Sequence, residues 1–372
     1  MERLRIVHCF RSPIGGLFRH VRDLVDGQIA EGHALGIVCD DNTGGDYEEA
    51  FFAALAPRLE LGLHRSSMQR AVGPGDALAL WRTFRTLARE RPDVIHAHGA
   101  KGGAYARVIG TLLKRTGSRP ARLYCPHGGS VHYDETTRSG RAYFALERAL
   151  ERMTDRLIFV SGYERDAYRR KVGEPRCPFD VVPNGLAPEE FEPVEAAPGA
   201  ADFLYIGMMR DLKGVDLFLQ ALLDLPDATA HAVGDGPDLE AYKRRATALG
   251  LDDRLTFHDP MPAREAFRLA RTVVVPSRAE SMPYIVLETL AAARPLVATR
   301  VGGIPEIFVG HEDALVAPGD AGALREAMRA ERDGTRVAPS PAAMREEVQR
   351  RFSQAAMVRS VMASYAAALG RA

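Results

Sequence analysis

A chain of 372 residues is too long for one typical core and suits two. Hydrophobic residues make up 46% and charged residues 26%, with no net charge, so the composition is that of a globular protein with no nucleic-acid partner expected. No apolar run reaches the length that spans a bilayer, and Met1-Glu2-Arg3 passes straight into a strand without a leader, so a cytoplasmic protein is expected.

The zero balance hides an asymmetry. Residues 1–185 hold 28 Lys and Arg against 22 Asp and Glu, which leaves 21 against 27 of the 49 and 49 for the remainder. The excess is sharpest between positions 93 and 134, where Lys101, Arg107, Lys114, Arg115, Arg119 and Arg122 occur with no acid. Such a run is most often a solvated helix face. As a functional surface it would meet anionic lipid or a phosphate-bearing acceptor, at the cytoplasmic face of an inner membrane. Cys9, Cys39, Cys125 and Cys177 show no metal or redox spacing and read as buried thiols.

Residues 4–10 form a predicted buried strand. A loop through Gly15 and Gly16 leads into a helix with Leu17, Val21, Leu24, Val25 and Ile29 at helical spacing, and 34–39 is the next strand. Glycines in the first turn of a β-loop-α-β unit let backbone approach a ligand closely. G-x-G-x-x-G is missing, which argues against a dinucleotide. Residues 40–47 read as a polar loop and 78–89 as a helix. In RPDVIHAHG, residues 91–99, a turn leads into a strand whose polar end, His96 and His98, falls at the carboxyl edge of a sheet. Two histidines at i, i+2 suggest a metal, but no third ligand stands nearby and metal binding is not expected. Residues 100–113 form a small-residue helix, and 122–125 a strand ending in Pro126-His127-Gly128-Gly129. His127, just past a strand and before two glycines, is placed to face a ligand; without more context it could equally be an ordinary loop histidine. Residues 142–153 are helical, 156–161 a strand with Ser161 capping 164–171, and 179–182 a strand before the turn Pro183-Asn184-Gly185. Residues 186–200, rich in Pro, Ala and Glu, read as a linker.

The second half restarts with a strand at 202–206 and then GMMRDLKG, which sets Arg210 and Lys213 in a strand-to-helix turn. Two cations there can neutralise a diphosphate, with plain surface charge as the alternative. Strands are predicted at 230–233, 255–257 and 273–275, and a helix at 261–271. Pro276 ends 273–275, and a polar loop follows with Ser277, Arg278, Glu280 and Ser281. Pro283 fits the first position of a helix that runs to about Ala293. Glu288 lies about two turns in, on the side of Ser281 and Tyr284, so roughly 8–12 Å separates it from Glu280. Between them sits a helix N-terminus, an anion site by construction, with backbone N–H groups near Met282 and Tyr284. A strand at 296–298, Gly302-Gly303 and a helix, a strand at 314–316, a helix at 319–330 and two helices within 340–370 complete the chain. The alternation implies parallel sheets covered by helices, twice.

The run 273–308 resembles the donor-binding segment of retaining glycosyltransferases of the GT-B fold, family 4 (glycosyl transferases group 1) type. It shows Glu280, seven residues, Glu288, the small residues 291–293 and Gly302-Gly303-Ile304-Pro305-Glu306. The glycine loop followed by Arg19 and His20, the PDVIHAH run, His127-Gly128, Pro183-Asn184-Gly185, Arg210 to Gly214 and Gly234-Asp235-Gly236-Pro237 resemble further landmarks. The resemblance implies an α/β protein, two Rossmann-like domains facing across a cleft. Residues 1–185 would be the acceptor-side domain, with a C-terminal helix in 352–372 packing back on it, and 201–351 the nucleotide-sugar donor domain. Arg210 and Lys213 would hold the diphosphate, with backbone from Ser281 to Tyr284. Glu280 would bind sugar hydroxyls, Glu288 the ribose, and His127 the transferred sugar, while Gly15 and Gly16 let backbone approach the donor. His132, Tyr133 and Arg138 are acceptor-side candidates. The implied reaction is retaining transfer of a hexose from a UDP- or GDP-linked donor to a glycan or lipid-linked acceptor, by same-face attack and with no metal or cofactor; no Asp-x-Asp pair occurs. One departure is Ser281-Met282-Pro283-Tyr284, where many relatives carry Gly-Phe or Pro-Phe-Gly. A sugar-nucleotide 2-epimerase of the same fold and a non-catalytic nucleotide- or glycan-binding protein are the alternatives.

Overall fold

The computed structural model describes residues 2–69, 73 and 75–371. The chain divides into two compact units, residues 1–185 with 354–372, and residues 186–353. In chain order, unit 1 carries β1 (Arg5–Phe10), α1 (Gly15–Ala30), β2 (Ala34–Cys39), α2 (Asp46–Leu55), β3 (Leu63–Arg65), α3 (Gly75–Glu90), β4 (Val94–His98), α4 (Gly99–Leu113), β5 (Ala121–Cys125), α5 (Arg138–Leu150), β6 (Arg156–Phe159), α6 (Gly162–Lys171) and β7 (Phe179–Val181). Unit 2 carries β8 (Ala201–Ile206), α7 (Val215–Leu223), β9 (Ala230–Val233), α8 (Leu239–Ala248), β10 (Leu255–His258), α9 (Ala263–Ala266), β11 (Ala270–Val275), α10 (Tyr284–Ala291), β12 (Leu296–Ala298), α11 (Ile304–Ile307), α12 (Ala321–Arg332) and α13 (Pro341–Arg351). The last helix, α14 (Gln354–Ala368), belongs to unit 1, where it lies against α1, β5 and β6.

Both sheets are parallel. Their strand orders are β3-β2-β1-β4-β5-β6-β7 and β10-β9-β8-β11-β12. In each, chain order reverses at one place, between β1 and β4 and between β8 and β11. Loops after those strands diverge there and leave a crevice at the carboxyl edge. Gly15 and Gly16 follow β1, Arg210 and Lys213 follow β8 and Glu280 follows β11, at these two places, while His127 follows β5, the neighbour of β4, and Glu288 lies in α10. Helices start where side chains satisfy first-turn amides: the Glu164 N–H donates to Ser161 Oγ at 3.0 Å, Ala323 N–H to Asp320 at 2.9 Å and Ala343 N–H to Ser340 at 3.2 Å.

The strand alternation of unit 1 sorts chemistry by face. Val7, Cys9, Ile95, Ala97 and Tyr124 join the core with Tyr105, Ala106 and Ile109 of α4. His8, His96 and His98 point the other way, toward α1 and α14. Register pairs His8 with His96 and His98 with Cys125. Gly27 lets α1 approach α14 closely, since a Cβ there would lie 2.5 Å from a Val358 methyl.

Several expectations need correction. Helix α2 and strand β3 fall in a stretch given no element beyond its opening polar loop. The helix expected at 261–271 shrinks to α9, because Ala270 and Thr272 pair with Ala201 and Phe203 of β8 and alternate with exposed Arg271 in the strand period. Residues 314–316 make a 3-10 turn and a single bridge, Val316 to Thr299, instead of a strand. Pro283 precedes its helix as an extended cap with φ −76° and ψ 124°, and α10 ends at Ala291 because Ala293 turns to φ 52° before Pro295. Residues 186–200 are not a free tether. Phe191 is buried, Val194 N–H donates to Ala292 O at 3.0 Å and Ala197 N–H to Arg268 O at 2.9 Å, so the segment is built into unit 2.

The basic run of unit 1 is neutralised from within. Lys101 pairs with Asp76 at 2.7 Å, Arg107 with Glu147 at 2.8 Å, and both Arg122 and Lys114 with Asp155, at 2.6 and 3.9 Å. Those acids lie outside the run in sequence. Among the described residues no helix is long and apolar enough to cross a membrane. The Arg107–Glu147 pair is fully buried, and Tyr124 and Ser130 hydroxyls also donate to Glu147, each at 3.0 Å. Arg107→Ala leaves that carboxylate buried without its cation and is expected to cost about 3–5 kcal/mol. A urea unfolding midpoint within error of the parent protein contradicts this.

Candidate active site

In unit 2 the loops after β8 and β11 meet. Lys213 Nζ donates to Glu280 Oε1 at 2.6 Å, and Ser277 Oγ donates to the same oxygen at 2.7 Å. Glu280 is buried while Lys213 is part-exposed. Glu280 Oε2 carries no hydrogen bond among the described residues, so it is the oxygen left for a ligand hydroxyl. The backbone sets this contact. Gly214 has φ 67°, and a Cβ on it would lie 2.1 Å from Pro276 O; only glycine lets the turn bearing Lys213 seat on the loop that leads to Glu280. On the other side Gly302, at φ 59°, would place a Cβ 1.9 Å from Glu280 O, and Gly303 N–H donates to Ser281 O at 2.8 Å. The Gly-Gly run is therefore the floor under Glu280.

Arg210 lies in the same turn, extended at φ −152°, and its carbonyl accepts from Lys213 N–H at 2.9 Å. Among the described residues its guanidinium makes no ion pair. Ser281 Oγ is buried without a partner. Met282 and Tyr284 are buried beside the start of α10, whose first-turn amides have no acceptor within the helix. Glu288 is half-buried on α10.

Sequence reasoning missed Arg278. Its backbone N–H donates to Leu212 O at 2.8 Å, and its guanidinium reaches both carboxylate oxygens of Asp216 at 2.7 and 2.6 Å. Burial works against ionisation of Asp216, but the Arg278 bonds outweigh it and hold the carboxyl below its ordinary range. This fork ties the β11 loop to the turn carrying Lys213. No signal in the sequence distinguishes Arg278 from a surface arginine.

In unit 1, Gly15 and Gly16 open α1 in exposed positions, Gly15 with φ 63°. His127 is half-buried with φ 50°. Glu164 fixes its loop by accepting from the Gly128 and Val160 amides. A hydrogen-bonded row runs inward from His127. The Gln28 carbonyl accepts from His8 Nε2 at 2.9 Å, so neutral His8 has a bare Nδ1. That atom accepts from His98 Nε2 at 2.9 Å, which leaves His98 Nδ1 bare to accept from His127 Nε2 at 3.0 Å. The remaining His127 nitrogen, Nδ1, is then an acceptor on its outward edge. On the other side Gln28 donates to Tyr365 Oη at 3.2 Å, and Tyr365 donates to His96 Nδ1 at 2.7 Å. His20 Nδ1 donates to Asn184 Oδ1 at 2.9 Å. His132 stacks under Gly128 and is an unpromising ligand group, because a Cβ at Gly128 would strike its ring at 2.1 Å.

Two family descriptions match consecutive parts of the chain: Glycosyltransferase Family 4 over residues 14–190 and Glycosyl transferases group 1 over residues 200–330. This chain belongs to the family 4, group 1 glycosyltransferases. It is 27% identical over 350 residues to a glycogen synthase of Mycobacterium tuberculosis, covering 85% of this chain and 82% of that protein. It is 30% identical over 248 residues to a D-inositol 3-phosphate glycosyltransferase of Arthrobacter sp., covering 61% and 59%. A sucrose-phosphate synthase of Thermosynechococcus elongatus superposes with a TM-score of 0.79 at 20% identity, over 99% of this chain and all of that one, which shows the same GT-B fold.

The histidine row of this glycosyltransferase corrects one expectation. No third metal-ligand type was anticipated near His98, yet folding brings His20, Cys125 and His127 to it, with all four ligand atoms within 4.8 Å of one another. Burial lowers His8 and His20 to about 4 and holds His96, His98 and His127 well below the ordinary histidine range. These histidines are neutral in the fold. In the unfolded chain they take up protons near 6.5, so their stabilising contribution is full above that pH and is lost as pH falls toward 4. For His8 and His20 the loss is about 1.4 kcal/mol each by pH 5.5. In chelator-containing buffer the urea midpoint should hold steady above pH 7 and fall between pH 6.5 and 5.5; a flat profile contradicts the neutral row.

Proposed function

We propose that this glycosyltransferase moves a hexose from a UDP- or GDP-linked donor to a glycan or lipid-linked acceptor with retention at the anomeric carbon. The observation that carries the donor half is the Lys213–Glu280 contact at 2.6 Å, held at the strand-order reversal of unit 2. An ammonium has three donors, so Lys213 can keep Glu280 and still donate to a phosphate. Arg210 adds a planar fork suited to the second phosphate. Together they bind the diphosphate and stabilise the charge that develops as it leaves. The start of α10, with Ser281, Met282 and Tyr284, is the adjoining anion seat. Glu280 Oε2 accepts from a sugar hydroxyl, and Glu288 from the ribose.

Unit 1 takes the acceptor. His127 offers a neutral acceptor nitrogen to a sugar hydroxyl, and the open backbone at Gly15 and Gly16 admits close approach. The side chains proposed here meet the charge needs of the diphosphate with Arg and Lys, so no metal is assigned to the transfer. Membrane attachment has little physical support, because four of the six cations in the basic run are paired with acids. Residues of the same loops tie the reading to surface or storage glycan synthesis only through the relatives. Two relatives are named a glycogen synthase and a D-inositol 3-phosphate glycosyltransferase, and on that support this chain is proposed to use a polyhydroxylated acceptor.

The test is nucleotide release from UDP-, GDP- and ADP-hexoses, with acceptor extracts, for the parent protein, Glu280→Ala and Lys213→Met. One donor should be favoured, and each substitution should lower kcat/KM by roughly 10²–10³. Equal rates in all three proteins overturn the site. Epimer formation without nucleotide release replaces transfer by 2-epimerisation.

A further inference from the structure

The row of neutral histidines in unit 1 ends in a cluster that hydrogen bonding alone does not use up. We infer that His20, His98, Cys125 and His127 form a binding site for a borderline-soft divalent cation, Zn²⁺ above all, and that occupancy withdraws His127 from the sugar. The second clause rests on the reading of His127 given above; the first does not.

The donor set is three imidazoles and one thiol, ligand types that zinc binds in tetrahedral sites. The four ligand atoms lie within 4.8 Å of one another. Zn–N and Zn–S bonds of about 2.0–2.3 Å put ligands about 3.3–3.8 Å apart, so each atom moves inward by about 1 Å or less. His98 and His127 already face each other at 3.0 Å. The site is also half-prepared electronically. Because His20 Nδ1 donates to Asn184, its Nε2 is a bare lone pair, and that atom is buried with no partner. The row from Gln28 through His8 leaves His98 Nδ1 bare as well. Asn184 and His8 thus act as outer supports that orient two ligands and fix their tautomers. Cys125 is fully buried at the end of β5, paired in register with His98.

Binding replaces a proton by a metal ion. The proton on His127 Nε2, now shared with His98 Nδ1, leaves, and His127 takes one up on Nδ1. Cys125 loses its thiol proton to solvent as sulfur bonds to zinc. Net, one Zn²⁺ enters and one proton is released, leaving a site of charge +1. His127 then turns an N–H donor outward where it had offered an acceptor, and its Nε2 is held by the ion.

The experiment uses the full chain, stripped with chelator, and Zn²⁺ or Co²⁺ alone as probe. Competition with a chromophoric chelator should give one Zn²⁺ per chain. Changes to outer supports of a metal site cost about 10-fold or more in affinity, so Cys125→Ser and His20→Gln should weaken binding by at least that. Co²⁺ should give a tetrahedral spectrum with a thiolate charge-transfer band. If Cys125→Ser does not fold, the band in the parent protein decides. Absence of the band, or unchanged affinity in both variants, overturns the site. Zn²⁺ should inhibit nucleotide release by the parent protein and spare Cys125→Ser. One-to-one binding without inhibition leaves the metal site standing and overturns the role given to His127.

Discussion

The proposed donor site depends on one contact, an ammonium on a buried carboxylate oxygen. An isolated pair of this kind is worth little when exposed and is costly when buried without support. Here it is supported from three directions. Ser277 shares the same oxygen, Gly214 lets the cation-bearing turn sit on the neighbouring loop, and Gly302 lets the backbone pass under Glu280. Arg278 then fastens the two loops by bonding to Asp216 and to the Leu212 carbonyl. The glycines are where they are because a Cβ would occupy the space of a carbonyl oxygen. The motif is a packing requirement before it is a chemical one.

Unit 1 has the same kind of strand-order reversal, and a row of neutral histidines lies on the strands that flank it. Its strand alternation stacks His8, His96 and His98 on one sheet face, and α1 and α14 cover them with Gln28, His20 and Tyr365. The imidazoles are neutral, and along the row from His8 through His98 to His127 each takes its tautomer from the one before, so the Gln28 amide, two rings away, decides whether the outward nitrogen of His127 carries a proton. Loop position is set separately: Glu164 accepts from the Gly128 amide and Glu147 from Ser130.

Much of this was legible in the sequence, unevenly. Most strands were, because parallel strands buried on both faces read as short apolar runs, and 230–233 and 296–298 coincide with β9 and β12. The loop residues Arg210, Lys213 and Glu280 stood out only through the family resemblance; on residue type and spacing alone surface charge was the equal reading. The start of β11 was not. Ala270-Arg271-Thr272 carries a weak period-2 signal that a preceding alanine-rich stretch obscures, and only pairing with β8 makes it a strand. The counter-charges of the basic run were hidden for another reason: Asp76, Glu147 and Asp155 lie 25 to 41 positions from their partners, and no local pattern announces them. Arg278 and the pairing of His98 with Cys125 fall in the same class. They are long-range contacts between residues with no mutual spacing.

The contrast between the two units bears on which substrate part each handles. A diphosphate carries charge that must be met by charge, and on the proposed reading the unit 2 loops supply it through Arg210 and Lys213, beside a helix start. In unit 1 four of the six cations of the basic run are held in ion pairs with acids of that unit, and the histidines of the row are uncharged. A neutral, tautomer-fixed acceptor nitrogen is suited to a hydroxyl and unsuited to a phosphate, whose oxygens only accept from it if it carries a proton. The six excess positive charges of residues 1–185, 28 against 22, are not by themselves evidence of an anion site. Net charge reports solubility and long-range field; the proposed division of labour between the units rests on which charges the fold leaves unspent.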